Sequence, residues 1–163
     1  MDNTNAAIDI SVFIPQDISS LEIMKPGGIE GTGWHVQFAG PAHPKTVAWN
    51  NEQNRKNLRR SQQIEQAQVN GKKFKSEDRD VDEVRRDNVA WVVARIVDWT
   101  PVRLGPGDPV AFAEEAAIRL LMQPNMGWAF SQMIEFLVDE RSFTKGSATN
   151  SEPSQNTSSF SEQ

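Results

Sequence analysis

Apolar and polar residues alternate in three short segments near the start of the chain, and this pattern predicts extended strands. The first strand is expected over residues 8–14, where four β-branched residues alternate with Asp9, Ser11 and Phe13. Two further runs, over residues 21–24 and 34–39, are closed by turns rich in glycine and proline. These strands predict a small antiparallel sheet, which buries little area unless it packs against another element.

A long polar segment over residues 45–69 predicts a helix, because it contains no glycine or proline and is rich in strong helix formers. Its few apolar positions form a narrow stripe. A helix of this kind either bridges solvent or waits for a partner. Asn70 and Gly71 would end the helix, and a charged linker follows as far as residue 80.

The clearest helical pattern begins at Val81. Valine and isoleucine recur on one broad face over residues 81–99, which predicts a single helix that ends just before a proline. A second helix is expected to start at residue 111 or 113 and to end at 122. A third is expected over residues 126–139, where apolar residues again recur at helical spacing.

Together these elements predict an α+β fold, in which a small N-terminal antiparallel sheet precedes a mainly helical C-terminal module and a disordered tail. The tail is expected to be disordered because it consists mostly of serine, asparagine, glutamine and threonine. The expected parts are a flexible start (1–7), a small β subdomain (8–44), a basic polar helix with its charged linker (45–80), the helical module (81–145) and the disordered tail (146–163).

The net charge of −5 is unevenly distributed along the 163 residues. Residues 1–44 carry one cationic side chain against five acidic ones, a net charge of −4. Residues 45–75 carry eight against two, or +6, and the remainder carries eight against fifteen, or −7. A basic segment between two acidic ones therefore requires an explanation.

The composition also indicates the cellular compartment in which the protein is expected. The chain has no cysteine, which is compatible with a reducing compartment. No apolar run approaches the roughly 18 residues that would span a bilayer, and the first residues lack the pattern of a signal peptide. We therefore expect a cytoplasmic protein without a membrane partner.

Candidate catalytic groups are few. His35 and His43 are the only histidines, and their spacing is not that of a metal-binding pair. The glycines at 27–33 do not form a phosphate-binding motif. The adjacent carboxylates are typical of solvated helix ends. The sequence therefore predicts no catalytic residue, no metal site and no cofactor, and it favours a binding protein over an enzyme.

The basic segment has three interpretations. Arg55, Lys56, Arg59 and Arg60 are spaced to share one helical face. This face could be solvated, could contact an acidic protein partner or the chain's own acidic helices, or could bind nucleic acid. The last interpretation is the weakest, because aromatic residues hardly interleave with the cations and no base-reading motif is present.

The module is unusually aromatic for its size. The aromatic residues of the helical module either build the core and pack against the sheet, or form part of a groove for a partner helix. The candidate partner-binding residues are Trp91, Trp99, Phe112, Trp128, Phe130, Phe136 and Phe143.

Four short motifs carry a resemblance to a known family. They are Arg-Ile-Val-Asp-Trp-Thr-Pro-Val at 95–102, Val-Ala-Phe-Ala-Glu-Glu-Ala-Ala at 110–117, Leu-Leu with a following Pro and Gly-Trp at 120–128, and Glu-Phe-Leu-Val-Asp-Glu-Arg-Ser-Phe at 135–143. On these motifs the chain resembles the tail assembly chaperones of long-tailed, siphovirus-like bacteriophages and prophages. One departure is Ala113, which stands where the family has a capping serine and cannot accept a hydrogen bond from the helix start.

The resemblance implies a specific role. Such chaperones bind the tape measure protein in the cytoplasm of the bacterial host and keep it soluble while tail tube subunits polymerise around it. The tail tube protein and a second copy of the chain are further partners that the resemblance allows. The alternatives are a structural tail or connector component of the particle, and a nucleic-acid or regulatory binder that uses the basic helix.

Overall fold

A computed structural model describes residues 7–73 and 79–144, and within them the predicted α+β class is confirmed. The sheet is antiparallel and has three strands in the order β1 (Ile18–Met24), β2 (Gly31–Ala39) and β3 (Ile96–Trp99). On the central strand, Val36 lies opposite Leu21 on one side and Trp99 on the other. The expected flexible start and disordered tail lie almost entirely outside the described residues, as does most of the charged linker.

The strand predicted over residues 8–14 is wrong. Residues Ser11–Phe13 form a short 3-10 turn instead, with the backbone N–H of Ser11 donating to the Asp9 carboxylate at 2.9 Å. The apolar side chains of this segment are exposed on both sides. No strand of the described sheet pairs with this segment, and at the end of β1 the Gln132 side chain bonds both the N–H and the carbonyl of Met24. Alternation alone therefore does not give a strand where no partner strand pairs with the segment.

The single helix predicted over residues 81–99 is also wrong. The helix ends at Val93, and residues 96–99 become β3, so the third strand comes from the helical module. The carbonyl of Arg95 accepts the N–H of Ala39, and the N–H of Thr100 donates to the carbonyl of His35, both across the sheet. Ile96 and Val97 are β-branched and suit a pleated strand, so pairing with β2 overrides their helical spacing.

Four α-helices complete the described structure: α1 (Pro44–Val69), α2 (Val81–Val93), α3 (Glu114–Leu121) and α4 (Gly127–Val138). The helix predicted over 45–69 is confirmed with its C-terminus at Val69. The helix α3 starts after Ala113, which makes no side-chain capping bond. Two further 3-10 turns cover Pro124–Met126 and Glu140–Phe143.

The core lies between one face of the sheet and the helices α2, α3 and α4. Along β2 the side chains of Trp34, Val36 and Phe38 are buried, whereas the intervening His35 and Gln37 are exposed. This alternation is typical of a sheet with one packed face and one solvated face. The helices contribute the other half of the core: Val89, Val92, Val93, Ala117, Leu120, Leu121, Ala129 and Met133. The sheet and the helical module thus share one core.

Candidate functional site

Two of the predicted partner-binding aromatics belong to a stack inside the fold. Trp99 is only 4% exposed and packs edge-on against Trp34 and Phe112, with ring centroids 5.5 and 5.4 Å apart. Its Nε1 donates to the carbonyl of Val110 at 3.2 Å. Such edge-to-face pairs stabilise a core beyond their buried area. Trp99 and Phe112 therefore hold β3 against the following loop.

A second aromatic stack ties the end of the chain to the sheet. Phe136 packs against Phe38 at 5.4 Å and against Phe143 at 5.6 Å between centroids. Phe143 is buried, and Phe136 and Phe130 are half-buried against the core. The carbonyl of Phe143 also accepts the N–H of Gln16 at 2.7 Å. These rings position α4 and the residues that follow it.

Trp91 stands on the wall of an open groove of about 550 Å³, which we call the Trp91 groove. Arg95 lies beneath it, with its guanidinium carbon 4.4 Å from the Trp91 ring centroid and 4.9 Å from that of Trp49. The guanidinium also donates to the Asn50 side chain at 3.1 Å. Burial lowers the pKa of Arg95, although arginine keeps its charge at neutral pH. The apolar side chains that line this groove are Phe13, Pro15, Ala39, Pro41, Trp91, Leu137, Val138 and Phe143.

Trp128 lines a second open groove, of about 620 Å³, which we call the Trp128 groove. Its walls come from the loop after β3, from α3 and from the start of α4. Backbone hydrogen bonds of 3.1 and 2.7 Å between Val102 and Val110 fold the loop back on itself. Trp128 is half-buried and Leu104 is 51% exposed, so a ligand could cover both. The apolar lining residues are Trp34, Pro101, Val102, Leu104, Leu120, Met126 and Trp128.

No protein-family model, no curated protein and no solved structure matches this chain. Its function must therefore be inferred from its own residues and surfaces.

Within the described part of the chain, the contacts that anchor the basic helix α1 lie near its start. The Lys45 ammonium donates to the carbonyl of Ile96 at 2.6 Å and lies 3.2 Å from the Glu114 carboxylate. The Thr46 hydroxyl is buried against the carbonyl of Ala39. The predicted basic residues lie further along the helix and are all exposed to solvent: Arg55, Lys56, Arg59 and Arg60. The structure thus places them apart from both grooves.

The structure places one histidine at the start of α1 and the other on the exposed face of the sheet. The Nδ1 of His43 accepts the backbone N–H of Lys45 at 3.1 Å and so caps α1, and His35 is exposed on β2. Within residues 7–73 and 79–144, no cluster of three or more His, Asp or Glu side chains could hold a metal ion. Among the helices that the structure describes, none has both the length and the apolar character needed to cross a membrane.

Several lining residues of the Trp128 groove were not among the predicted partner-binding residues. Leu120 lies within the second predicted helix, and Leu104 lies between the first and second predicted helices. Trp34 was assigned to a strand, and its buried Nε1 has no hydrogen-bond partner among the described residues. The signals in the sequence were the glycine- and proline-rich loop at 101–109 and the Gly-Trp pair at 127–128. Sequence spacing does not show that these two segments meet.

Proposed function

We propose that this protein is a tail assembly chaperone, which binds an amphipathic helical segment of a tape measure protein in the Trp128 groove. The observation that carries the proposal is the groove itself, an open apolar cleft beside a half-buried tryptophan. The motif resemblance at 120–128 covers part of the same wall. The protein would act in the cytoplasm of the bacterial host by binding, without catalysis.

The lining of the Trp128 groove suits the apolar stripe of a helix. A volume of about 620 Å³ accommodates a few client side chains rather than a whole domain. Met126 lies in the floor, and the unbranched methionine side chain adapts to differently shaped partners. Amphipathic helices dock in such clefts through residues three, four and seven positions apart. Covering these residues would protect a client from aggregation before it is enclosed.

The Trp91 groove suits this role less well. Its lining includes the half-buried charge of Arg95 with Thr46 and Asn50, whereas the charged lining residue of the Trp128 groove, Arg103, is exposed to solvent. An apolar helix would have to desolvate these groups without offering them hydrogen bonds, which is costly. Part of this groove is also walled by the chain's own Phe13 and Pro15.

The test is co-expression with the tape measure protein of the same phage, comparing Trp128→Ala with the matched control Trp91→Ala. We expect the wild type and Trp91→Ala to keep the client soluble and to co-purify with it, and Trp128→Ala to lose both properties. Because Trp128 is half-buried, its replacement should cost less stability than the roughly 3–5 kcal/mol expected for a fully buried ring. Thermal unfolding of both variants would confirm that they fold.

Two results would contradict the proposal. One is a client whose solubility is unchanged by the wild-type protein, with nothing co-purifying. The other is stoichiometric retention of the protein in purified phage particles, which would favour a structural tail or connector component instead.

A further inference from the structure

The helix α1 carries a long surface that nothing in the described fold covers. No residue from Val47 to Val69 is buried, and the contacts that anchor the helix involve its first two turns. We call residues 51–69 of this helix the α1 arm. A helix that leaves its side chains exposed gains little stability from the core. Packing within the described fold therefore does not explain why this helix carries aliphatic residues.

Three aliphatic residues of α1 lie on one line along the helix. Val47, Leu58 and Val69 are spaced eleven residues apart and are 41%, 61% and 82% exposed. Eleven residues span three helical turns with a drift of only about 20°, so the three side chains share one face. We call them the aliphatic row. The spacing matches a partner helix that packs along α1 nearly parallel to its axis.

The charge on one flank of the aliphatic row is positive. At about 100° per residue, Arg55 and Arg59 lie roughly 60° and 100° around the helix from Leu58. Neither forms a salt bridge with any residue in the described part of the chain. By the same count, Lys56 and Arg60 lie roughly 160° and 200° from Leu58, on the far side of the basic face, and point away from the aliphatic row. Lys56 is also paired with Glu52 at 2.9 Å.

A second copy of α1 is a poor occupant of this surface. In an antiparallel pair Leu58 would sit on the two-fold axis, with Val47 opposite the partner's Val69. The same arrangement would bring Arg55 and Arg59 of both copies together around the axis. Parallel pairing would place the arginines of the two copies on opposite flanks, where they face uncharged residues such as Asn54 and Ser61 and find no carboxylate. Like charges destabilise the antiparallel pair and the parallel pair leaves the arginines unpaired, so a partner with negative charge fits this surface better than a second copy.

We propose that the α1 arm binds an acidic amphipathic helix, which covers the aliphatic row and pairs its carboxylates with Arg55 and Arg59. Nucleic acid fits this surface less well. Phosphates are bound by cations, and a phosphate backbone would not use the exposed Leu58 that lies beside the arginines. Glu65 lies within about 20° of the row and would repel phosphates, and for the same reason the carboxylates of the partner helix must lie on the side of Arg55 and Arg59 rather than opposite Glu65. This surface is separate from the Trp128 groove and does not depend on the function proposed for it.

The experiment uses the full chain and a fluorescently labelled synthetic helix about as long as α1. The peptide has leucine at every eleventh residue, glutamate beside each leucine and alanine elsewhere, and its binding is followed by fluorescence anisotropy. Control peptides replace the glutamates with lysine or the leucines with glutamine. We expect binding of the acidic peptide only. Leu58→Ser should weaken it about tenfold, since the leucine would otherwise be buried in the complex.

Two double variants that remove the same charge test which side of α1 binds the peptide. Arg55→Gln with Arg59→Gln should weaken peptide binding about tenfold, whereas Lys56→Gln with Arg60→Gln removes the same charge from the opposite face and should change it less than about twofold. Circular dichroism and thermal unfolding should be unchanged in all variants, because every mutated side chain is exposed. Equal effects of the two double variants, or no binding of the acidic peptide, would overturn the proposal. So would tighter binding of short DNA that Leu58→Ser leaves unchanged.

Discussion

Arg95 shows how a single residue connects three elements of the fold. Its guanidinium lies between the rings of Trp49 on α1 and Trp91 on α2, and its Nη1 donates to the carbonyl of Trp91 at 2.9 Å. Its own carbonyl accepts the N–H of Ala39 on β2. A planar guanidinium can stack and donate at the same time, which a lysine ammonium cannot do. This residue therefore fixes the base of α1 while the arm beyond it stays exposed.

Replacing either of two glycines by alanine should change the stability of the protein, but in opposite directions. Gly127 has ordinary helical angles, with φ of −57°, and nothing lies within 4 Å of an added Cβ. Gly127→Ala should therefore stabilise the protein by about 0.4–1 kcal/mol, because alanine has less conformational freedom to lose on folding. Urea unfolding followed by tryptophan fluorescence would measure the change.

Gly40→Ala is the contrasting change. An added Cβ would collide with the backbone carbonyl of Gln16, and the Gly40 N–H also donates to the carbonyl of Asp17 at 2.7 Å. Because backbone atoms cannot move aside cheaply, we expect a loss of about 1–3 kcal/mol in the same urea experiment. Equal free energies of unfolding for the two variants would contradict this account of the turn.

At the scale of elements, local patterns predicted some segments and failed at others. The helix α1 was predictable because uninterrupted helix formers determine it without tertiary contacts. Residues 96–99 were not, because their valine and isoleucine satisfy helical spacing and strand preference alike, and only pairing with β2 decides between them. Residues 8–14 alternate like a strand, but they pair with no strand of the described sheet, and sequence spacing does not reveal pairing.

The 3-10 turn at Glu140–Phe143 should respond to pH through Asp139. Its carboxylate accepts hydrogen bonds from the side chain of Arg141 at 3.2 Å and from the backbone N–H of the same residue at 3.0 Å. These bonds hold the pKa of Asp139 below its ordinary value of 3.8. Since the folded-state pKa is the lower one, the carboxylate stabilises the turn above pH 3.8, and this contribution is lost as the pH falls through the folded-state pKa.

The measurement is an NMR titration of the Asp139 carboxyl carbon, which should have its midpoint below 3.8. In Arg141→Gln the midpoint should rise towards that value, because the largest cause of the shift is removed. The protection factor of the Gln16 amide against hydrogen exchange should fall at low pH, since this N–H donates to the carbonyl of Phe143 in the same turn. A midpoint at or above 3.8 in the wild type would contradict the capping role.

At the scale of the whole molecule, the sequence predicted which residue types matter better than it predicted where they meet. An aromatic-rich module was evident, but Trp99 proves to be core and Trp128 to line a groove. The difference depends on the loop after β3, which packs Pro101 and Leu104 beside Trp128. Such contacts join residues distant in the chain, so periodicity could not distinguish a core ring from one in a groove wall.

The two proposed surfaces should differ in their response to salt. Binding in the Trp128 groove would bury mostly apolar side chains, so it should change less than about twofold between about 0.05 and 0.5 M NaCl. Binding at the α1 arm would pair Arg55 and Arg59 with carboxylates on an exposed helix, where ions screen the attraction effectively. We expect its affinity to fall about tenfold over the same range.

Separate titrations would measure both responses, using an apolar helical segment of the client for the groove and the acidic synthetic helix for the arm. Trp128→Ala should abolish the first binding and leave the second intact, whereas Leu58→Ser should do the reverse, because the two residues belong to surfaces that share no lining residue. If each substitution weakened both ligands equally, the groove and the arm would be parts of one binding surface. If both affinities fell alike with salt, charge would govern the groove as well, and its apolar walls would not explain client binding.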